Sequence, residues 1–146
     1  MSVKDDVSLD INALDTEWEK QSTLMEEYAS ALSKSNKEYS QMKLVLDGQI
    51  AELKMGWRAK GKIDTLNGEV KLTEGALDNA IDSDTMIIEQ RKALIEKQYE
   101  VDMLKGIVDA LRSKKSALES EVQLYLSGYF SSPKDQRTLI REKQRQ

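Results

Sequence analysis

Five residues near the middle of the chain could hold a ligand by their own chemistry: Lys54, Trp57, Arg58, Lys60 and Lys62. Clustered cations neutralise the phosphates of an anionic polymer. An indole offers a face on which a base can stack, worth ~1–3 kcal/mol. A solvated helix C-terminus carries similar residues, because cations there relieve the helix dipole. The local sequence leaves both readings open. The same stretch, Gly56-Trp57-Arg58-Ala59-Lys60-Gly61-Lys62-Ile63, matches seven of the eight positions of a phosphate-binding P-loop. Ile63 stands where that loop needs a Ser or Thr for magnesium, and a helix rather than a strand precedes it, so nucleotide hydrolysis is not expected.

Other chemistry is limited by inventory. The chain has no Cys and no His, which removes thiol nucleophiles, imidazole acid–base catalysis and Cys/His zinc sites. The acidic pairs Asp5-Asp6 and Asp82-Ser83-Asp84 lack the spacing and glycine of a calcium loop. They read as part of a mobile arm and as a helix cap. No nucleophile has a base partner. The expectation is a binding or structural protein rather than an enzyme, with no cofactor.

Charge is segregated along the 146 residues. The total is −4, but residues 1–27 and 63–90 each carry a net −6, while 28–62 and 91–146 each carry +4. An acidic total counts against a generic nucleic-acid binder. Segregation counts in favour, since a phosphate chain feels the nearby patch once salt screens beyond roughly 10 Å. No apolar run approaches the ~20 residues that span a bilayer, and the acidic start is no signal peptide. A soluble intracellular protein is expected, in the host cytoplasm if phage-encoded.

The cations must be placed by helices. Trp18, Met25, Leu32, Tyr39, Leu46 and Leu53 stand seven apart, the mark of a long helix that buries a seam against another. Trp18 and Tyr39 are therefore assigned to that seam. Intervening seam positions include Tyr28 and Met42 but also Gln21, Ser35 and Gln49. A capping box, Thr16 with Glu19, should start this helix, which should end near Met55. Forty helical residues would be roughly 60 Å long and cannot bury a stripe on themselves.

Residues 56–68 form a glycine-rich break. Ile63 to Leu72 has the form of a hairpin turning at Asn67-Gly68. Leu66, Val70, Leu77 and Ile81 also share a helical face, and a short helix from about Glu69 to Ile81 is preferred because an isolated hairpin is only marginally stable. Asp82-Ser83-Asp84 should cap a second long helix. Its seam is Ile87, Leu94, Val101, Leu104, Val108, Leu111, Leu118, Val122, Tyr125 and Tyr129, interrupted by Lys115. Gly106 inside it is either tolerated or a point of close backbone approach. Gly128 and Pro133 should end the helix. The result is an all-α protein. Its two long heptad-patterned helices are joined by a basic Gly-rich turn and a short helix, and they assemble into a helical homo-oligomer. Residues 1–15 form an acidic mobile arm, 16–132 a single helical domain and 133–146 a basic polar tail.

The order of elements resembles the UvsY-type recombination mediators of tailed phages, over about Tyr28 to Tyr129. The resemblance is carried by Tyr28 with Leu32-Ser33-Lys34, by Met42 through Leu53-Lys54, and above all by Gly106-Ile107-Val108-Asp109-Ala110-Leu111-Arg112-Ser113-Lys114 with Ala117-Leu118. It implies a ring-like homo-oligomer that binds single-stranded DNA without sequence preference. Such a protein helps a RecA-like recombinase displace single-strand-binding protein, in DNA recombination and repair. It also implies DNA contacts at a Leu-Lys-x-Arg run ending the first helix. Lys54 matches the lysine, Gly56 occupies the arginine position, and Arg58 follows two residues later. The alternative is a coiled-coil scaffold or adaptor without DNA contact.

Overall fold

The computed structural model describes residues 2–10, 13–65 and 68–128. In chain order these form α1 (Val3–Val7), α2 (Leu14–Lys60), β1 (Lys62–Thr65), β2 (Gly68–Lys71), α3 (Glu74–Ser83) and α4 (Thr85–Leu126). The protein is mostly helical, as expected, with one small antiparallel sheet.

α2 begins at Leu14, upstream of the expected Thr16–Glu19 box, with Asp15 and Glu17 in its first turn. Carboxylates there oppose the positive end of the helix dipole and favour the extension. α2 also runs past Gly56 to Lys60, five residues beyond the expected end at Met55. Gly61, at φ +72°, supplies the left-handed residue that ends it.

The preference for a helix from Glu69 is overturned. Lys62, Ile63, Asp64 and Thr65 pair with Lys71, Val70, Glu69 and Gly68. Leu66 and Asn67, which connect the strands, lie outside the described residues. The register places the connection one residue earlier than the Asn67-Gly68 turn. β1 packs against α3, and Ile63 is fully buried. A covering helix removes the instability of a lone hairpin. α3 then starts at Glu74, capped by Thr73, whose Oγ1 accepts from the Ala76 N–H at 3.0 Å. Asp84 caps α4 as expected, its Oδ1 accepting from the Ile87 N–H at 3.1 Å. Gly128, at φ +81°, follows the end of α4. Tyr129, Pro133 and the basic tail lie outside the described residues.

Contacts divide the chain into two units. The first comprises residues 2–29 and 106–128, the second Ser30–Lys105. In the first, α2 and α4 run antiparallel. Gln21 Nε2 donates to the Leu111 carbonyl at 2.7 Å, and Lys114 Nζ lies 2.6 Å from Glu17 Oε2. α1 joins this unit rather than standing apart as an arm. Asp6 is buried, its carboxylate accepts from Tyr28 Oη at 2.7 Å, and its carbonyl accepts from Lys114 Nζ at 2.7 Å. The seam interruption is also relocated, since Lys114 is buried while Lys115 is exposed.

The second unit has its core at Leu46, Ile81 and Ile87, with Ile50, Leu53, Trp57 and Leu94 packed around it. Its α2 and α4 segments also run antiparallel. Ser35 Oγ donates to Glu100 Oε1 at 3.0 Å, and Lys97 bridges Glu38 and Glu100. Trp18 departs from its seam assignment, being 48% exposed. Positions seven apart drift about 20° per heptad on a helix of 3.6 residues per turn. A strict seven-residue line therefore does not stay centred on a contact over many turns, and Trp18 lies at the rim. The polar seam positions Gln21 and Ser35 are buried, as expected.

Candidate nucleic-acid interface

The candidate residues sit on two regular elements rather than on a loop. Lys54, Trp57, Arg58 and Lys60 occupy the last turns of α2, and Lys62 opens β1. This geometry corrects the expected basic turn and leaves no P-loop, because Gly56 to Lys60 is helical. Lys54 and Arg58 are four apart and share a helix face. α3 presents two carboxylates to them with the same spacing: Lys54 Nζ lies 2.9 Å from Asp78 Oδ1, and Arg58 Nη2 lies 2.9 Å from Glu74 Oε1. Lys60 reaches Asp64 at 3.5 Å, and Lys62 reaches Glu69 at 2.5 Å. Each of the four cations thus meets an acidic partner from residues 64–78, Lys54 and Arg58 on one face of α2 and Lys60 on another.

These pairs are weak ones. Lys54 keeps 26% of its side-chain surface and Arg58 49%, while Asp78 keeps 63% and Glu74 74%. Exposed pairs of this kind contribute ~0–1 kcal/mol each. The hairpin adds strain of the same order. Lys62 stands directly across from Lys71, and Asp64 across from Glu69, and like charges directly opposite are destabilising. The diagonal Lys62–Glu69 pair offsets part of this.

Trp57 is half-buried and packs on the Leu46–Ile81–Ile87 cluster. Its ring is an anchor first. It also lines two clefts, one with Asp64, Thr65 and Ser83, the other with Gln49, Lys60 and Met86. These clefts give a base access to the ring.

Sequence reasoning missed Glu74, Asp78 and Lys71 as members of this site. The signal was present in the charge blocks: the +4 of residues 28–62 precedes the −6 of residues 63–90, and the fold pairs the two. On α4, Lys114 is buried against Glu17, whereas Arg112, paired with Asp109 at 3.1 Å, and Lys115 stay exposed. Gly106 has open space around a would-be Cβ, so within one chain it serves no close backbone approach.

Ionisation is perturbed at the helix–helix contacts. Hydrogen bonds from Lys97 and then Ser35 hold the Glu100 carboxyl below its ordinary value, and the Glu38 and Glu100 carboxylates raise the Lys97 ammonium. The bond to Asp6, with burial, raises the Tyr28 phenol. Among the described residues no helix is long and apolar enough to cross a membrane.

No family model matches the chain, and no curated protein matches its sequence. Solved structures do match. One crystal structure of the bacteriophage T4 recombination mediator protein UvsY aligns with a TM-score of 0.69 at 15% identity, covering 89% of this chain and 93% of that one. A second lattice form of the same protein aligns with a TM-score of 0.63 at 16% identity, covering 89% and 96%. The chain has a UvsY-type fold.

Proposed function

We propose that this chain, with its UvsY-type fold, is a recombination mediator. It binds single-stranded DNA as a homo-oligomer and helps load a RecA-like recombinase onto DNA covered by single-strand-binding protein. It performs no catalysis itself and works inside the cell. The observation that carries this reading is the fold, which aligns with a T4 recombination mediator over 89% of the chain. The cation cluster ending the first long helix supports it independently. Lys54, Arg58, Lys60 and Lys62 take phosphates, and Trp57 takes a base on its free side.

Assembly is supported by apolar surface left over after folding. Leu44 and Met55 on α2, and Ile95, Tyr99 and Met103 on α4, are each more than half exposed. The last three share one face of α4. Such stripes suit a second copy of the chain, and a ring would let several weak cationic patches act on one strand. The alternative reading, a coiled-coil scaffold without DNA contact, draws support from the ion pairing of all four cations.

Retention of labelled oligothymidine at low and moderate salt separates the two. Binding should be measurable at low salt. Lys54→Ala with Arg58→Ala should weaken it without changing circular dichroism or assembly size. That double change should also flatten the log–log salt dependence by roughly 0.7 per lost phosphate contact. Trp57→Phe keeps the packing and should lower affinity at an almost unchanged slope. No retention by the unmodified chain at low salt would favour the scaffold.

A further inference from the structure

The four cations of the DNA site are not waiting bare. Lys54, Arg58, Lys60 and Lys62 are each engaged by a carboxylate, from Asp78, Glu74, Asp64 and Glu69. The partners come from two elements, α3 and the hairpin, that follow the basic helix end directly in the chain. The pairing is systematic. An i, i+4 pair of cations on α2 faces an i, i+4 pair of carboxylates on α3, and the hairpin supplies the other two. The carboxylates are mostly exposed, at 54–74% of their side-chain surface, so none is committed to holding the core together. The hairpin tolerates like charges face to face at Lys62–Lys71 and Asp64–Glu69, an arrangement that favours a change of partner.

We infer that Asp64, Glu69, Glu74 and Asp78 form an anionic cover over the DNA site, in place of which the phosphates of a strand must bind. The inference rests on the function proposed above and names how that site is controlled and what it selects. A phosphate gains a cation only as a carboxylate gives one up, so each contact yields the difference of two similar attractions. A lone phosphate or a single nucleotide displaces one partner and gains little. A strand displaces several at once and keeps the sum, with Lys71 exposed beside the exchange. The cover therefore selects polymeric phosphate over isolated anions and keeps binding weak enough to reverse.

The cover predicts a gain of binding on removing negative charge. Exposed pairs of ~0.2–1 kcal/mol correspond to about 1.4- to 5-fold in affinity each. Glu74→Gln with Asp78→Asn should therefore tighten oligothymidine binding about tenfold at low salt, with an unchanged helical spectrum. Glu69→Gln alone, on the exposed hairpin, should tighten it about threefold and serves if the α3 variant folds poorly. A charge-matched control, Glu96→Gln with Asp102→Asn on α4, lies roughly 16–26 Å along the helix from its start, beyond the screening length. It should leave affinity unchanged. An equal gain in that control would overturn the cover, since net charge alone would then explain the effect. So would unchanged or weakened binding in the α3 and hairpin variants, the latter showing that the carboxylates position the cations. If the unmodified chain and every variant fail to bind, the proposed function falls together with the cover. Binding without gain removes the cover alone.

Discussion

Replacing Lys114 with Met tests the fold at its most exacting point. The Lys114 side chain is 2% exposed, and its ammonium lies 2.6 Å from Glu17 Oε2 and donates to the Asp6 carbonyl at 2.7 Å. Glu17 Oε2 is itself buried and has no partner other than this ammonium among the described residues. The ammonium is its counter-charge. Methionine fills most of the same volume, so the loss is electrostatic rather than a cavity. A carboxylate left buried and unpaired, with the Asp6 carbonyl deprived of its donor, costs about 3–5 kcal/mol. At roughly 2–4 °C per kcal/mol for a chain of this size, the midpoint should fall by about 6–20 °C. The assay is thermal melting by circular dichroism at fixed protomer concentration, because assembly makes the midpoint concentration-dependent. The double variant Lys114→Met with Glu17→Leu should recover most of the loss, since an apolar replacement of both partners leaves no orphan charge. A single variant that loses less than about 1 kcal/mol would refute the reasoning and show that the ion is reached by water.

Further tests address other elements. Stability should fall as pH drops below the ordinary carboxyl value of 4.5, because Glu100 titrates lower when folded and its contribution is lost as pH passes through the folded value. At the alkaline end it should fall as pH rises past 10.0, where the unfolded Tyr28 phenol ionises before the folded one, and Lys97 adds a loss above 10.5. Tyr28→Phe should flatten the first part of that alkaline limb in a series of melts against pH. Gly106→Ala should stabilise α4 by about 0.5–1 kcal/mol in urea titrations with assembly unchanged. Dissociation in light scattering would reveal a close approach between copies instead. Gly61→Ala should do the opposite, losing about 1 kcal/mol in the same titrations, because its φ of +72° strains any side chain.

Much of the architecture is local and therefore legible in the chain. Heptad spacing announces two long helices, Asp84 caps the second and Gly128 marks its end, whereas the first runs past its expected end at Met55 to Lys60. The hairpin signal is also present, in Ile63 to Leu72, but the sequence favours a short helix because the α3 that shelters the hairpin is a tertiary feature. The cations Lys54, Arg58, Lys60 and Lys62 were legible as a cluster for the same local reason. Tertiary structure decided what those residues meet. Lys114 rather than Lys115 enters the seam, and Trp18 leaves it, because burial depends on the phase of each helix against its partner and that phase drifts along the helix. Trp57 became an anchor because α3 and α4 bring Ile81 and Ile87 to it. The basic block found its counter-charges in Glu74 and Asp78 because α3 folds back along the end of α2. Periodicity and composition record what each segment prefers alone; which charges neutralise one another is set by distances between segments, and only the folded chain has those.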